Sequence, residues 1–243
     1  MTDSACRVHL PPLFEARFIE RPNRFLIRCN VNGKTIDAHL PDPGRLKELL
    51  IPGVELLIEH TPRIGKKTQY TVHLVNTPTG YVSINTRYPN LLVLQSLQNH
   101  CLPGFQDYSL VRSEVPVENH RLDFELKTSS GKQVFMEVKS VTLVEGDGIA
   151  RFPDAVTSRG KSHVELLEKL VKKGIETWVF FVVQRQDSRL LTPHWLRDPD
   201  FSSSLQNAIQ SGVKLAAHTC RISKESICWN LPIPYDLKDY RYA

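Results

Sequence analysis

Over the first eighty or so residues, hydrophobic and polar positions alternate in short runs broken by turn residues. "RFLIRCNVNGKTIDAHL" carries two alternating runs around Asn32-Gly33, a pair that suits a two-residue type I′ hairpin because both residues tolerate positive φ. "VELLIEH", "TQYTVHLV" and "GYVSINT" predict further strands. "PDPGRLKELLIPG" predicts a tight turn and a short helix from Arg45 to Leu50, ended by Pro52-Gly53. Five or so short strands with one small helix predict an OB-like β-barrel over residues 1–84.

From Asn90 the period changes. "NLLVLQSLQNH" has helical spacing, with Asn90 as its expected N-cap. Strands are predicted at about Leu110 to Val117, Arg121 to Lys127 and Gln133 to Leu143. In "TSRGKSHVELLEKLVKKG", Val164, Leu167 and Val171 recur at helical spacing, with Lys172 and Lys173 in the last turn and Gly174 just beyond. "TWVFFVVQ" reads as a fully buried strand, and "FSSSLQNAIQSG" and "VKLAAHT" as one more helix and strand. The order α-β-β-β-α-β predicts an α/β (α+β) domain with a mixed central sheet over residues 85–243.

The strand "VFMEVKSVTL" is apolar apart from Glu137 and Lys139, two residues apart and therefore on one face. A hairpin closed by "TSSGK" and centred on Ser130 pairs Leu122 with Val138, Phe124 with Met136 and Leu126 with Val134. Those are three apolar pairs on one face. The same register opposes Asp123 to Glu137 and Arg121 to Lys139 on the other face. Facing carboxylates destabilise a sheet unless a cation lies between them, and Mg²⁺ prefers oxygen ligands while keeping several waters. A register shifted by two residues preserves the apolar face and instead makes Asp123–Lys139 an ordinary ion pair. Glu114, in "VRSEVPV", adds a carboxylate on the preceding strand. "RFPDAVTSRGKSH" gathers Arg151, Arg159, Lys161 and His163 around a helix N-terminus, where positive charge opposes the macrodipole unless an anion binds.

Composition narrows the partners. The chain has 243 residues, 41% hydrophobic, with formal charge +5 and a pI near 8.9, which suits a polyanionic partner without requiring one. Five scattered cysteines, an odd number with no C-x-x-C pair, argue against a disulfide framework and for a reduced, cytoplasmic protein. No apolar run is long enough to span a bilayer, so no membrane partner is expected. The histidines show no zinc-ligand spacing.

On these residues the chain resembles the sugar fermentation stimulation protein A family. The matching stretches include "AHLPDPGRLKELLIPG", "VSINTRYPN", "RLDFEL", "EVKSVTLVEGDGIARFPDAVTSRGKSHVELL" and "GVKLAAHTC". The resemblance implies an OB-like domain joined to a PD-(D/E)XK nuclease-like domain, and DNA binding with little sequence preference. It implies that Asp123, Glu137 and Lys139 form the nuclease motif, with Mg²⁺ or Mn²⁺ held by Asp123 and Glu137, and with Glu114 and Gln184 as supporting residues. Leu122 stands where the motif's proline would be, and Pro153-Asp154 is out of order and a decoy. "ENHRLDF" also lacks the small glycine-containing turn usual in the family.

The barrel adds further basic residues. Arg17, Arg21, Arg24 and Arg28 crowd its first hairpin, Arg63, Lys66 and Lys67 sit in "TPRIGKKTQY", and Arg45 follows "PDPG". Phe18, Phe25, Tyr70 and Tyr81 lie in the region where OB barrels stack bases, though most are expected in the core. Three readings follow: a DNA-binding protein with a Mg²⁺-dependent nuclease-type site, a non-catalytic DNA-binding regulator of sugar metabolism genes, or a protein whose charges are merely solvated. Intact Asp123, Glu137 and Lys139, and no evident helix-turn-helix, favour the first. The sequence leaves oligomeric state open, a homodimer included.

Overall fold

The computed structural model describes residues 6–62, 65, 68–146 and 148–241. The first strand among the described residues, β1 (Arg7–His9), pairs antiparallel with a strand near the other end of the chain. Next come β2 (Phe14–Asn23), β3 (Leu26–Val31) and β4 (Lys34–His39). The β3–β4 turn has Asn32 at φ 49° and Gly33 at φ 83°, the type I′ geometry that the dipeptide predicts. Strands β5 (Glu55–His60), β6 (Tyr70–Thr77) and β7 (Gly80–Ser83) complete the region. β2 pairs with both β3 and β5, and a parallel bridge between His39 and Thr71 joins β4 to β6, closing a five-stranded barrel that β7 extends. Phe18, Ile27, Leu56, Ile58 and Val72 fill its interior.

The helix expected from Arg45 to Leu50 does not form. Leu46 sits at φ 52°, a left-handed conformation that cannot start a right-handed helix. Leu46 N–H donates to Asp154 Oδ2 at 2.8 Å and its side chain is buried in the barrel core, so tertiary contacts hold it there. What remains is one turn, with Leu49 and Leu50 N–H donating to Leu46 O.

The second region runs α1 (Arg87–Gln98), β8 (Tyr108–Val117), β9 (His120–Thr128), β10 (Gln133–Val141), β11 (Val144–Glu145), β12 (Ile149–Phe152), α2 (Ser158–Lys172), β13 (Glu176–Val183), β14 (Leu190–Pro193), α3 (Pro199–Gln210), β15 (Lys214–Ile222) and β16 (Ser226–Pro232). The main sheet has the order β1-β16-β15-β13-β10-β9-β8. β10 is parallel to β13 and antiparallel to β9, so the sheet is mixed. The α-β-β-β-α-β order read from the sequence is present as α1-β8-β9-β10-α2-β13, with the short strands β11 and β12, which the pattern did not predict, inserted between β10 and α2. With the OB barrel ahead of it, it makes the chain an α+β protein whose second region is built on a mixed central sheet.

Two cores sandwich this sheet. On one face Phe135, Val141, Val179 and Phe181 pack against Val164 and Leu167 of α2 and Phe201 and Leu205 of α3. On the other, Phe124, Met136, Phe180 and Val182 pack against Leu92, Val93 and Leu97 of α1. A central strand covered on both faces reads as a near-continuous apolar run, as in "WVFFVV". No helix among the described residues is long and apolar enough to cross a membrane.

Contrary to the expectation from their number and scatter, the cysteines are not all reduced. Cys6 and Cys101 form a disulfide that ties the segment before β1 to the residues after α1. Their 95-residue separation gives no local spacing signal, and only the fold brings them together.

Candidate functional site

The site is built where β9 and β10 part. Their ladder has the predicted register, with Val134 opposite Leu126 and Met136 opposite Phe124, and it ends there. The alternative shifted by two residues does not occur. Beyond the last pair Leu122 turns into the core beneath α2, away from Phe124, so the predicted Leu122–Val138 pair is not made. Asp123 fills the resulting fork. Its Oδ2 accepts the Val138 N–H at 2.7 Å, a donor that the separating strands would leave unpaired. Asn90 Nδ2 donates to its Oδ1 at 2.6 Å.

Asn90 is therefore not the helix N-cap that the spacing suggested. Thr86 is the N-cap residue, Pro89 lies in the first turn of α1, and Asn90 faces the sheet. A polar residue early in an amphipathic helix has two readings in sequence, a cap or an inward-facing partner. The carboxylate that decides between them is 33 residues away.

Glu137 and Lys139 lie one turn of the pleat further along β10, 4% and 8% exposed. Lys139 Nζ donates to Glu137 Oε1 at 2.7 Å, and His163 Nδ1 of α2 donates to the same oxygen at 2.5 Å. Glu137 Oε2 is buried and has no hydrogen-bond partner. Burial alone would raise this carboxyl, but the Lys139 charge, with the His163 hydrogen bond and charge, outweighs it and holds Glu137 at about 2. Asp123 goes the other way. Burial and then the Glu137 charge push it up to about 7, against the Val138 N–H.

The other sequence candidates separate into groups. Gln184, just after β13, is fully buried; its Nε2 donates to Ser140 Oγ at 2.8 Å and its backbone N–H to Val141 O at 2.8 Å, fixing the end of β10. Glu114 is not brought to the buried group: it is exposed and pairs with Arg121 at 3.7 Å.

The basic cluster at α2 does not hold together as a set. His163 is 4% exposed and faces Glu137, so it is unavailable to a phosphate from solvent. Lys161 pairs with Asp200 at 3.3 Å and Glu165 at 3.9 Å, and Arg151 with Glu145 at 2.7 Å. Thr157 caps the helix, its Oγ1 accepting the Gly160 N–H at 3.0 Å. Of the four, only Arg159 is an exposed cation, in a shallow recess with Arg121 and His120.

On the barrel, Arg17 pairs with Glu55 and Arg28 with Glu20 and Asp37, while Arg21 donates to loop carbonyls. Arg45 is exposed. Arg63, Lys66 and Lys67 lie outside the described residues. Phe18 is core, Tyr70 and Tyr81 are half-buried, and Phe25 is exposed beneath the Arg24 guanidinium.

The donor set suits a hard cation in one respect. Two carboxylates with oppositely displaced affinities for protons, one bearing an unpartnered buried oxygen, are what Mg²⁺ or Mn²⁺ would relieve, with water filling the other positions. No cluster of three or more His, Cys, Asp or Glu that could hold a metal occurs among the described residues. Asp123 and Glu137 would have to suffice.

The chain matches the family model described as the sugar fermentation stimulation protein RE domain over residues 87–226. It matches the SfsA N-terminal OB domain over residues 19–84. The sugar fermentation stimulation protein homolog of Desulforamulus reducens is 39% identical over 234 residues, covering 96% of this chain and 97% of that one. The homolog of Moorella thermoacetica is 40% identical over 228 residues, covering 93% and 98%. Among solved structures, Pyrococcus furiosus SfsA in complex with Ca²⁺ superposes with a TM-score of 0.85 at 25% identity, covering 94% of this chain and 98% of that one.

Proposed function

The chain belongs to the sugar fermentation stimulation protein family, and on that footing we propose that it is a DNA-binding protein with little sequence preference and a Mg²⁺- or Mn²⁺-dependent phosphodiester-hydrolysing site. The observation that carries the proposal is the buried Asp123–Glu137–Lys139 group with its unpartnered Glu137 Oε2. Ca²⁺ bound to the Pyrococcus relative supports a divalent-cation site in the family. A mixed nuclease-type sheet with these three residues on adjacent strands supports the same reading.

Each side chain has a distinct task in such a site. Asp123, held by Asn90 and the Val138 N–H, and Glu137, held through Oε1 by Lys139 and His163, would present oxygens to the cation. When bound, the cation supplies positive charge against the phosphate and makes a water more acidic. Lys139 donates toward charge developing on the phosphate oxygens, from a buried position where such an interaction is strong. His163 restricts Glu137 so that Oε2 alone is free.

Plasmid and single-stranded DNA incubated with Mg²⁺, Mn²⁺ or EDTA test the proposal. Metal-dependent nicking that disappears in both Asp123→Ala and Lys139→Ala is expected. Binding that survives in EDTA with no cleavage in either metal would instead leave a non-catalytic DNA-binding protein. DNA affinity is expected to fall by about tenfold or more between 50 and 200 mM salt, because phosphate contacts release counterions. His163→Ala is expected to weaken Mn²⁺ binding, followed by calorimetry, by roughly 10-fold, as loss of a ligand's supporting partner does. His163→Asn, which retains an N–H donor, should recover most of it.

A further inference from the structure

The barrel and the nuclease-type domain enclose a cleft of about 230 Å³ that opens beside Lys139. The barrel's Asp42–Gly44 loop forms one wall, and the end of β10 with the segment from Phe152 to Thr157 forms the other. The lining is mixed. Val141, Phe152 and Val156 offer apolar surface, and Val156 is 72% exposed although it lines the cleft. Ser140, Thr142 and Asp42 supply polar atoms along the same walls.

This is poor chemistry for phosphate. Apart from Lys139, which belongs to the phosphodiester site, the cleft's cations are Arg24, held to Pro43 O and over the Phe25 ring, and Arg151, paired with Glu145, while Asp42 and Asp154 add carboxylates. It is good chemistry for a nucleobase, which has flat apolar faces and a hydrogen-bonding rim.

The cleft is also preformed. Leu46 N–H donates to Asp154 Oδ2 at 2.8 Å, and Arg197 holds the other Asp154 oxygen at 2.8 Å. Arg21 donates to Gly44 O and Arg45 O, each at 2.7 Å, and Thr86 Oγ1 to Pro41 O at 2.8 Å. At Gly44 a Cβ would come within 2.9 Å of Asp42 Oδ1 and 3.0 Å of Asp154 Oδ2, so only glycine lets the loop approach this closely. A loop held at so many points costs little further ordering when something binds. The space suits one nucleoside, and a base still stacked and paired within a duplex cannot enter it.

We propose that this cleft receives a single unstacked base next to the phosphodiester site, so that the substrate class is DNA with unpaired nucleotides. The proposal rests on the DNA-binding and hydrolysis reading given above. It goes further in separating two tasks: Asp123, Glu137 and Lys139 handle the phosphate, and the interdomain cleft selects for a base that is cheap to extrude.

Three DNAs of one sequence test it in Ca²⁺ buffer by fluorescence anisotropy: a single strand, a matched duplex and a duplex with one mismatch. A 2-aminopurine placed at the mismatch reports the base itself. The single strand and the mismatched duplex are expected to bind about tenfold tighter than the matched duplex, with a change in 2-aminopurine emission on binding. Ala155→Trp, which fills the cleft, and Val156→Asp, an exposed change that leaves the core alone, should each remove most of that preference. Mn²⁺ binding in both variants should stay as in the unaltered protein, showing that they are folded. Equal affinity for all three DNAs, or a preference untouched by both variants, overturns the base cleft while leaving metal-dependent cleavage standing. Absence of binding to any of the three overturns this proposal together with the reading beneath it.

Discussion

Asp123→Asn is expected to raise the melting temperature of the metal-free protein at pH 8 by roughly 5–10 °C, measured in EDTA. The carboxyl is pushed from its ordinary 3.8 up to about 7 by burial and by Glu137. Each unit of such displacement corresponds to about 1.4 kcal/mol, so the ionised group costs about 2–4 kcal/mol in the folded state above pH 7. The sign follows from proton counting. Between about pH 4 and 7 the folded protein holds a proton on Asp123 that the unfolded chain has released. The stability associated with that proton is complete below about pH 4 and is lost as pH rises through 7. An amide cannot ionise, so the variant's advantage should be full at pH 8 and close to nil at pH 4. Asp42 and Glu48, also raised by burial, to about 6 and about 7, contribute to the overall pH trend but cancel in this comparison. The amide oxygen can still accept the Val138 N–H, and Asn90 with its amide turned over can accept from the new NH2 group in place of donating to Oδ1, so the fork remains satisfied. Adding Mn²⁺ at pH 8 should stabilise the unaltered protein and leave the variant unmoved. A melting temperature for the variant equal to or below that of the unaltered protein at pH 8 would contradict the account of Asp123 as a carboxylate held at a cost for function.

Lys139→Met is expected to act in the opposite direction, with a loss of about 3–5 kcal/mol at pH 8 by chemical denaturation. Lys139 and Glu137 are both buried and their contact is 2.7 Å. Removing the cation leaves an ionised carboxylate in a site that burial would otherwise protonate, with His163 as its single remaining partner. Glu137 is held at about 2, below its ordinary 4.5. Its contribution to stability is therefore present above about pH 4.5 and is lost as pH falls through 2. The penalty in Lys139→Met should accordingly shrink as the solution is acidified and Glu137 takes up a proton. Glu137→Gln added to Lys139→Met should restore much of the loss, because the uncompensated charge has gone. If the double variant were no more stable than Lys139→Met, packing of the lysine stem and not its charge would be the cause.

Much of the fold is legible from local pattern. Asn32-Gly33 announces its hairpin because few other pairs accept two successive positive φ values. The Phe124–Met136 and Leu126–Val134 pairs follow from alternation, since a one-residue slip would turn every side chain to the wrong face. The α2 helix follows from its apolar spacing and from Gly174 beyond its end. In each case the deciding interactions lie within a few residues, or within one hairpin.

The structure corrects the readings that depended on distant neighbours. A basic residue at a helix start is a phosphate ligand only if nothing else neutralises it. Asp200 pairs with Lys161 from 39 residues away, a fact with no trace in the α2 segment itself. His163 carried the same local signal as Arg159, yet one faces a buried carboxylate and the other solvent. The helix expected after "PDPG" failed for the same kind of reason, because Asp154 of the second domain takes the Leu46 N–H.

The sequence by itself determined the two-domain order, the register that brings Asp123 and Glu137 to one end of a hairpin, and the presence of an acid–acid–lysine group on apolar strands. Only the tertiary structure decided that Asp123 sits in a fork held by Asn90, that His163 orients Glu137, and that the barrel loop closes a cleft beside Lys139. Alternation and helical spacing record which face of an element is buried. They carry no record of which remote donor or carboxylate that face will meet, and at this site those encounters set both charge and geometry.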